Sequence, residues 1–147
     1  MKPIEMKMDL AAGRDEVWEL WTTEEGLSSW LCQRANVEPV VGGPYELFWS
    51  PDTTKPESDS TLGCRVLSVD RPRLLHFDWR GSDEVADVMN VPGAEVTEVT
   101  VQLFPTPMGT RLEMVHAGWG DGPDWERART WFARAWEMAF ERLRGAL

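Results

Sequence analysis

The last stretch of the chain, from Asp124 to Leu147, constrains the fold most strongly. Its apolar side chains recur at steps of three and four, which is the spacing of one helix face. They are Trp125, Ala128, Phe132, Trp136, Ala139 and Leu143. Asp124 suits an N-cap and Gly145 suits a stop, so we expect a helix of roughly 30 Å with one buried side. What covers that side, a solid core or a cavity, is the functional question.

The N-terminal segment predicts one strand followed by two short helices. Residues 4–10 alternate between apolar and charged side chains, as in a half-buried strand. Residues 14–22 carry an apolar helix face, and Thr23 can cap a second helix that runs to Trp30.

The middle of the chain predicts strands joined mainly by hairpins. Alternating side chains and turn residues place strands at 35–41, 45–49, 62–69, 75–80, 95–104 and 111–116. Polar composition predicts loops at 50–60 and at 81–93, the second one acidic, irregular and exposed. Strands gathered between terminal helices indicate the α+β class with an antiparallel sheet.

Length and charge narrow the classes of protein. A chain of 147 residues is most simply one domain, spanning 1–147. There is no apolar run of about eighteen residues and no apolar signal-peptide core, so a cytoplasmic location is expected by default. The net charge of −10 argues against nucleic acid and against an anionic membrane as the main partner.

Cysteine and histidine give no sign of a metal site or a cofactor. The two cysteines, Cys32 and Cys64, lack C-x-x-C spacing, and the two histidines, His76 and His116, lack the paired spacing of zinc sites. No nucleophile motif and no phosphate-binding loop are present. We therefore expect no metal and no cofactor.

Tryptophan is the compositional anomaly, with nine in the chain. Each indole can bury about 150–250 Å². This is more aromatic surface than a small core usually needs, and it favours either an aromatic-lined pocket or an interface.

The order of these pieces resembles the START-like superfamily, which is also called SRPBCC or helix-grip. More narrowly, the chain resembles the bacterial family related to the activator of the heat-shock-protein-90 ATPase, over essentially its whole length. The pieces that carry the resemblance are Glu16-Val17-Trp18 with Thr22-Thr23-Glu24-Glu25-Gly26-Leu27, Val41-Gly42-Gly43-Pro44-Tyr45, Val69-Asp70-Arg71-Pro72-Arg73-Leu74-Leu75 with Phe77-Asp78-Trp79, Gly109-Thr110-Arg111-Leu112, and His116-Ala117-Gly118-Trp119.

The resemblance implies a curved antiparallel sheet of about six to seven strands, wrapped around a long C-terminal helix with a cavity between them. Members of the superfamily mostly bind apolar small molecules such as lipids, sterols and polyketides there. Some are cyclases, and the activator itself acts on a chaperone by protein contact. Most small bacterial relatives have no assigned reaction.

Nine residues are candidates for binding a ligand, because they come from elements that converge in such a fold. They are Trp30, Tyr45, Trp49, Trp79, Met114, His116, Trp119, Phe132 and Trp136. The alternative is that these side chains simply fill the interior. His116 shares a strand face with Leu112 and Met114, so it is also a weak candidate for an acid/base catalyst, whereas His76 is expected to face outward.

Three functions remain open at this point. The first is a non-catalytic protein that holds an apolar or aromatic small molecule between sheet and helix. The second is an interaction protein, either a co-chaperone or a homodimer. The third is a cyclase-like or hydrolase-like enzyme that uses His116.

Overall fold

The computed structural model describes residues 1–50 and 59–147. Most of the loop predicted at 50–60 lies outside the described residues. The strands are β1 Ile4–Leu10, β2 Arg34–Val37, β3 Tyr45–Phe48, β4 Val66–Asp70, β5 Leu74–Trp79, β6 Thr97–Thr106 and β7 Gly109–Ala117. The helices are α1 Arg14–Thr22, α2 Glu24–Ser28, α3 Ala86–Met89 and α4 Pro123–Gly145, and a 3-10 turn covers Asp83–Val85.

Five strands form an antiparallel sheet in the order β1-β7-β6-β5-β4. Strands β2 and β3 form a separate two-stranded ladder. Isolated bridges connect the second ladder to the segment that leads into β4, from Pro44 to Arg65 and from Phe48 to Ser60. The α+β class and the helix-grip arrangement are therefore confirmed, although the main sheet has fewer strands than the single sheet of six to seven that was expected.

Alternation along the strands determines which face of the sheet is buried. On β6, Val99, Val101 and Leu103 are buried, and on the paired β7 so are Leu112 and Met114. The intervening residues are half-buried or exposed. The apolar face of α4 joins these side chains in one core cluster.

Helix α4 confirms the predicted long element, with a small change at its start. Pro123 is the first helical residue and Gly122 is the N-cap, so Asp124 lies in the first turn and is not the cap. Proline suits this position because its missing N–H would have no partner inside the helix. Gly122 has φ 100°, a conformation that favours glycine.

The segment at 81–93 is more ordered than its composition predicts. It holds the 3-10 turn and α3, and Val85, Val88 and Met89 are buried. The expectation of an exposed, irregular loop was wrong, because these three apolar residues lie at helical spacing between the acidic ones. Asp87 also accepts a hydrogen bond from Arg127 Nη2 at 2.6 Å, which fixes the segment to α4.

Helices α1 and α2 meet at a close bend. The Thr23 side chain accepts a hydrogen bond from the Gly26 N–H at 2.9 Å, as predicted for a cap. Gly26 packs directly on the α1 backbone, where an added Cβ would overlap the Glu19 carbonyl oxygen. Glycine at this position allows the two helices to approach each other.

Candidate functional site

A pocket of about 540 Å³ lies along one side of α4. The segment that follows α2, the ends of β3 and β5, and the 3-10 turn form its other walls. Its lining is Ser28, Ser29, Trp30, Leu31, Cys32, Gln33, Trp49, Asp59, Trp79, Ser82, Glu84, Trp131, Phe132, Ala135, Trp136, Ala139 and Arg142. This volume is within the range of about 300–1,000 Å³ that is usual for small-molecule sites.

The structure brings five of the nine candidate residues to this pocket. They are Trp30, Trp49, Trp79, Phe132 and Trp136. The rings of Trp79 and Trp136 are 5.2 Å apart between centroids, and those of Trp49 and Trp79 are 5.6 Å apart. Residues from three separate elements thus form one continuous aromatic wall.

The other four candidates lie behind that wall. Tyr45 stacks on Phe77 with 3.8 Å between ring centroids, and its hydroxyl donates to the Trp21 carbonyl oxygen at 2.7 Å. Met114 is fully buried in the core. Trp119 donates from Nε1 to the His116 carbonyl oxygen at 2.9 Å. None of these side chains lines the pocket in the described structure.

His116 is fully buried, and both of its ring nitrogens have protein partners. Trp136 Nε1 donates to Nδ1 at 3.0 Å, so the ring proton of the neutral imidazole belongs on Nε2. Nε2 lies 2.9 Å from Thr97 Oγ1, which in turn donates to the Trp79 carbonyl oxygen at 3.0 Å. Burial lowers the pKa of His116 from 6.5 to about 3. This geometry leaves the ring no free nitrogen, and it gives the acid/base hypothesis no support.

Several pocket residues escaped the sequence interpretation. Ser28 and Ser29 are polar residues near the end of the second predicted helix, and Leu31, Cys32 and Gln33 follow it without periodicity, so none of the five gave a signal for a wall. Three others did carry a signal, because they recur at steps of four and seven beside the apolar stripe of α4. They are Trp131, Ala135 and Arg142.

The described lining has seven polar side chains, of which Asp59, Glu84 and Arg142 are charged. Arg142 donates from Nε to the Trp30 carbonyl oxygen at 2.9 Å. The carboxylates in the described lining are Asp59 and Glu84, and Glu84 accepts from Ser82 Oγ at 2.9 Å. The indole N–H groups of Trp49 and Trp79 are shielded from solvent and have no hydrogen-bond partner within the described residues.

The two cysteines are buried and free. Burial raises the pKa of Cys32 to about 12, and burial also raises the pKa of Cys64. Both thiols therefore stay protonated near neutral pH, which makes them poor nucleophiles and poor metal ligands.

Metal-binding clusters and membrane-spanning helices are both missing from the described part of the chain. Within 1–50 and 59–147, no group of three or more His, Cys, Asp or Glu side chains is placed to hold a metal ion. No helix in those ranges has both the length and the apolar character needed to cross a membrane.

The antiparallel sheet, the long C-terminal helix and the pocket beside it define a protein of the START-like, helix-grip class. A family model described as "Activator of Hsp90 ATPase homolog 1-like protein" matches residues 11–147, and the chain belongs to that family. None of the curated proteins searched matches the chain.

Solved structures agree with this assignment. Protein MLL2253 from Mesorhizobium loti has a TM-score of 0.77 and 24% identity, with 99% of this chain and 96% of that chain covered. Protein BH1534 from Bacillus halodurans has a TM-score of 0.72 and 25% identity over 99% and 96% of the two chains. The Aha1 dimer from Colwellia psychrerythraea has a TM-score of 0.65 and 18% identity over 98% and 97%. At such identities these likenesses concern the fold.

Proposed function

We propose that the protein binds an apolar or aromatic small molecule, without catalysis, in the pocket beside α4. The observation that carries the proposal is the aromatic wall itself. Trp30, Trp49, Trp79, Phe132 and Trp136 come from distant parts of the chain, yet they line one open volume of about 540 Å³. Aromatic side chains that converge on one pocket beside polar groups such as Gln33, Ser82 and Arg142 can hold a small molecule and orient it.

The electrostatics of the site favour binding over acid/base chemistry. His116 is neutral and engaged on both nitrogens, and Cys32 is a protonated thiol. Neither group is available at the pocket as a base or a nucleophile near neutral pH. The enzyme hypothesis would need a substrate whose turnover is abolished by His116→Ala.

A pocket-filling substitution tests the proposal. Ala135 and Ala133 are both half-buried residues of α4, but Ala135 lines the pocket and Ala133 does not. Native mass spectrometry with naphthalene, a fatty acid and a panel of polyketides should detect a bound ligand. We expect Ala135→Trp to remove that binding and Ala133→Trp to retain it. Absence of binding across the whole panel, or binding that survives Ala135→Trp, would reject the proposal.

A second candidate function is a co-chaperone or another interaction protein. The observation in its favour is the family, whose description names an activator of the Hsp90 ATPase. A homodimer is the related candidate, since one structural neighbour is titled as a dimer. Among described aromatic side chains, Phe104 alone is exposed, at 38%, so surface aromatics provide little for such an interface.

The co-chaperone function is tested by measuring binding to the heat-shock protein and the rate of its ATPase. The heat-shock protein of the same organism should be retained by the immobilised chain, and its ATPase rate should rise when the chain is added. Retention without a change in rate would reject activation. Analytical ultracentrifugation over a range of concentrations decides between monomer and homodimer.

A further inference from the structure

We infer that the ligand carries an oxygen acceptor, which Arg142 binds at one end of the pocket. This inference rests on the proposed function, because it names the chemistry of the molecule held there. It is carried by the position of Arg142 and by the hydrogen-bonding groups around it.

Arg142 lines the pocket and is held in place by one of its own donors. Its Nε donates to the Trp30 carbonyl oxygen at 2.9 Å. Trp30 is in turn fixed by its Nε1, which donates to the Leu20 carbonyl oxygen at 2.8 Å. The guanidinium is planar, so a fixed Nε sets the plane in which both Nη groups lie.

Arg142 is an exposed residue of α4 at the edge of the pocket, and its Nη nitrogens make no hydrogen bond or ion pair with any described residue. These Nη groups are therefore donors without a protein acceptor at the edge of the pocket, and an oxygen acceptor is the complementary group on a ligand.

The carboxylates of the pocket do not neutralise Arg142 through a direct contact in the described structure. The Glu84 carboxylate accepts a hydrogen bond from Ser82 Oγ at 2.9 Å. Asp59 is the other carboxylate of the lining. Either a carbonyl or a carboxylate oxygen on the ligand could accept a hydrogen bond from the Arg142 Nη groups.

Three probes that share one ring system separate these two acceptors: naphthalene, 2-acetylnaphthalene and 2-naphthoate. Their Kd values can be measured by following the indole N–H signals in NMR titrations. We expect at least one oxygen-bearing probe to bind about tenfold more tightly than naphthalene, as one charge-assisted hydrogen bond provides. A higher affinity for 2-naphthoate identifies a carboxylate, and a higher affinity for 2-acetylnaphthalene identifies a neutral carbonyl.

Arg142→Gln should reduce the preference to less than about threefold, while Arg142→Lys should retain part of it. Arg134→Gln is the matched control, because Arg134 is an exposed arginine of the same helix that does not line the pocket. It should keep the full preference. The ratio of two Kd values cancels any general change in pocket shape, so a role of Arg142 confined to fixing Trp30 would lower all three affinities equally.

Two outcomes overturn the inference, and they are distinguishable. Equal binding of the three probes to the wild-type protein rejects the oxygen acceptor and leaves the binding pocket standing. Absence of binding by all three rejects the inference together with the aromatic part of the proposed function. A preference that survives Arg142→Gln would reject the role of Arg142.

Discussion

Trp136 and His116 are joined by a hydrogen bond of 3.0 Å, from the indole Nε1 of helix α4 to Nδ1 of the imidazole on strand β7. The bond fixes the helix to the sheet at the back of the pocket wall. It also fixes the tautomer of His116, whose Nε2 lies 2.9 Å from Thr97 Oγ1. The polar chain inside the core therefore holds the aromatic wall in position.

Replacing Trp136 with phenylalanine should destabilise the protein more than the lost ring volume alone requires. The substitution leaves Nδ1 of His116 buried without a donor, and it opens space beside Trp79. We expect a loss of about 2–4 kcal/mol in the free energy of unfolding. Urea denaturation measures it. Trp131→Phe is the control, since Trp131 is half-buried, and it should cost under about 1 kcal/mol. Equal losses would contradict the role given to the bond.

The lowered pKa of His116 predicts that stability falls with acid. The unfolded chain takes up a proton on this imidazole near pH 6.5, whereas the folded chain keeps it neutral down to about pH 3. The stability that neutral His116 contributes is fully present above the pKa of the unfolded chain. It is lost as the pH falls from about 6.5 toward about 3, by up to about 1.4 kcal/mol per pH unit.

His116→Gln isolates that contribution, because an amide offers one donor and one acceptor without titrating. Urea denaturation at about pH 7 and about pH 5.5 should show that the wild type loses about 1 kcal/mol more than the variant. The same loss in both proteins would mean that His116 is protonated in the fold.

Periodicity predicted the helices and strands of this fold better than it predicted which side chains are buried in the core and which line the pocket. Alternation placed Tyr45 and Trp49 on the same face of one strand, yet Tyr45 is fully buried and Trp49 lines the pocket. The pattern states which side of a strand is apolar. It does not state how far along the strand the helix covers it, which depends on packing between distant elements.

The pocket also depends on residues whose pattern carries no signal. Leu31, Cys32 and Gln33 line the pocket from a segment that is neither helix nor strand. The position of Arg142 depends on its hydrogen bond to Trp30, which is 112 residues earlier in the sequence. Short helical elements are also difficult to predict from the sequence, as the 3-10 turn and α3 show, where Val85 and Met89 are buried between acidic neighbours. Long-range contacts of this kind are not encoded in local periodicity.

Gly26 is expected to tolerate an added methyl group poorly. An added Cβ would overlap backbone atoms of Glu19 and Leu20, which cannot rotate away. Gly26→Ala should therefore lower the free energy of unfolding by more than about 2 kcal/mol. Gly145→Ala is the control, because nothing lies within 4 Å of the position that its methyl group would take, and its effect should stay within about 0.5 kcal/mol. Thermal denaturation of both variants tests the prediction, and similar melting temperatures would contradict it.

Cys32 should be unreactive in the folded protein, although it lines the pocket. Burial raises its pKa to about 12, so the nucleophilic thiolate is scarce at pH 8. In the unfolded chain the pKa returns to about 8.5, and we expect a thiol reagent such as DTNB to react at least about a hundredfold faster there. A Cys64→Ala variant assigns the signal to Cys32. Comparable rates with and without guanidinium chloride would show that Cys32 is ionised and accessible in the fold, and would make it a candidate nucleophile at the pocket.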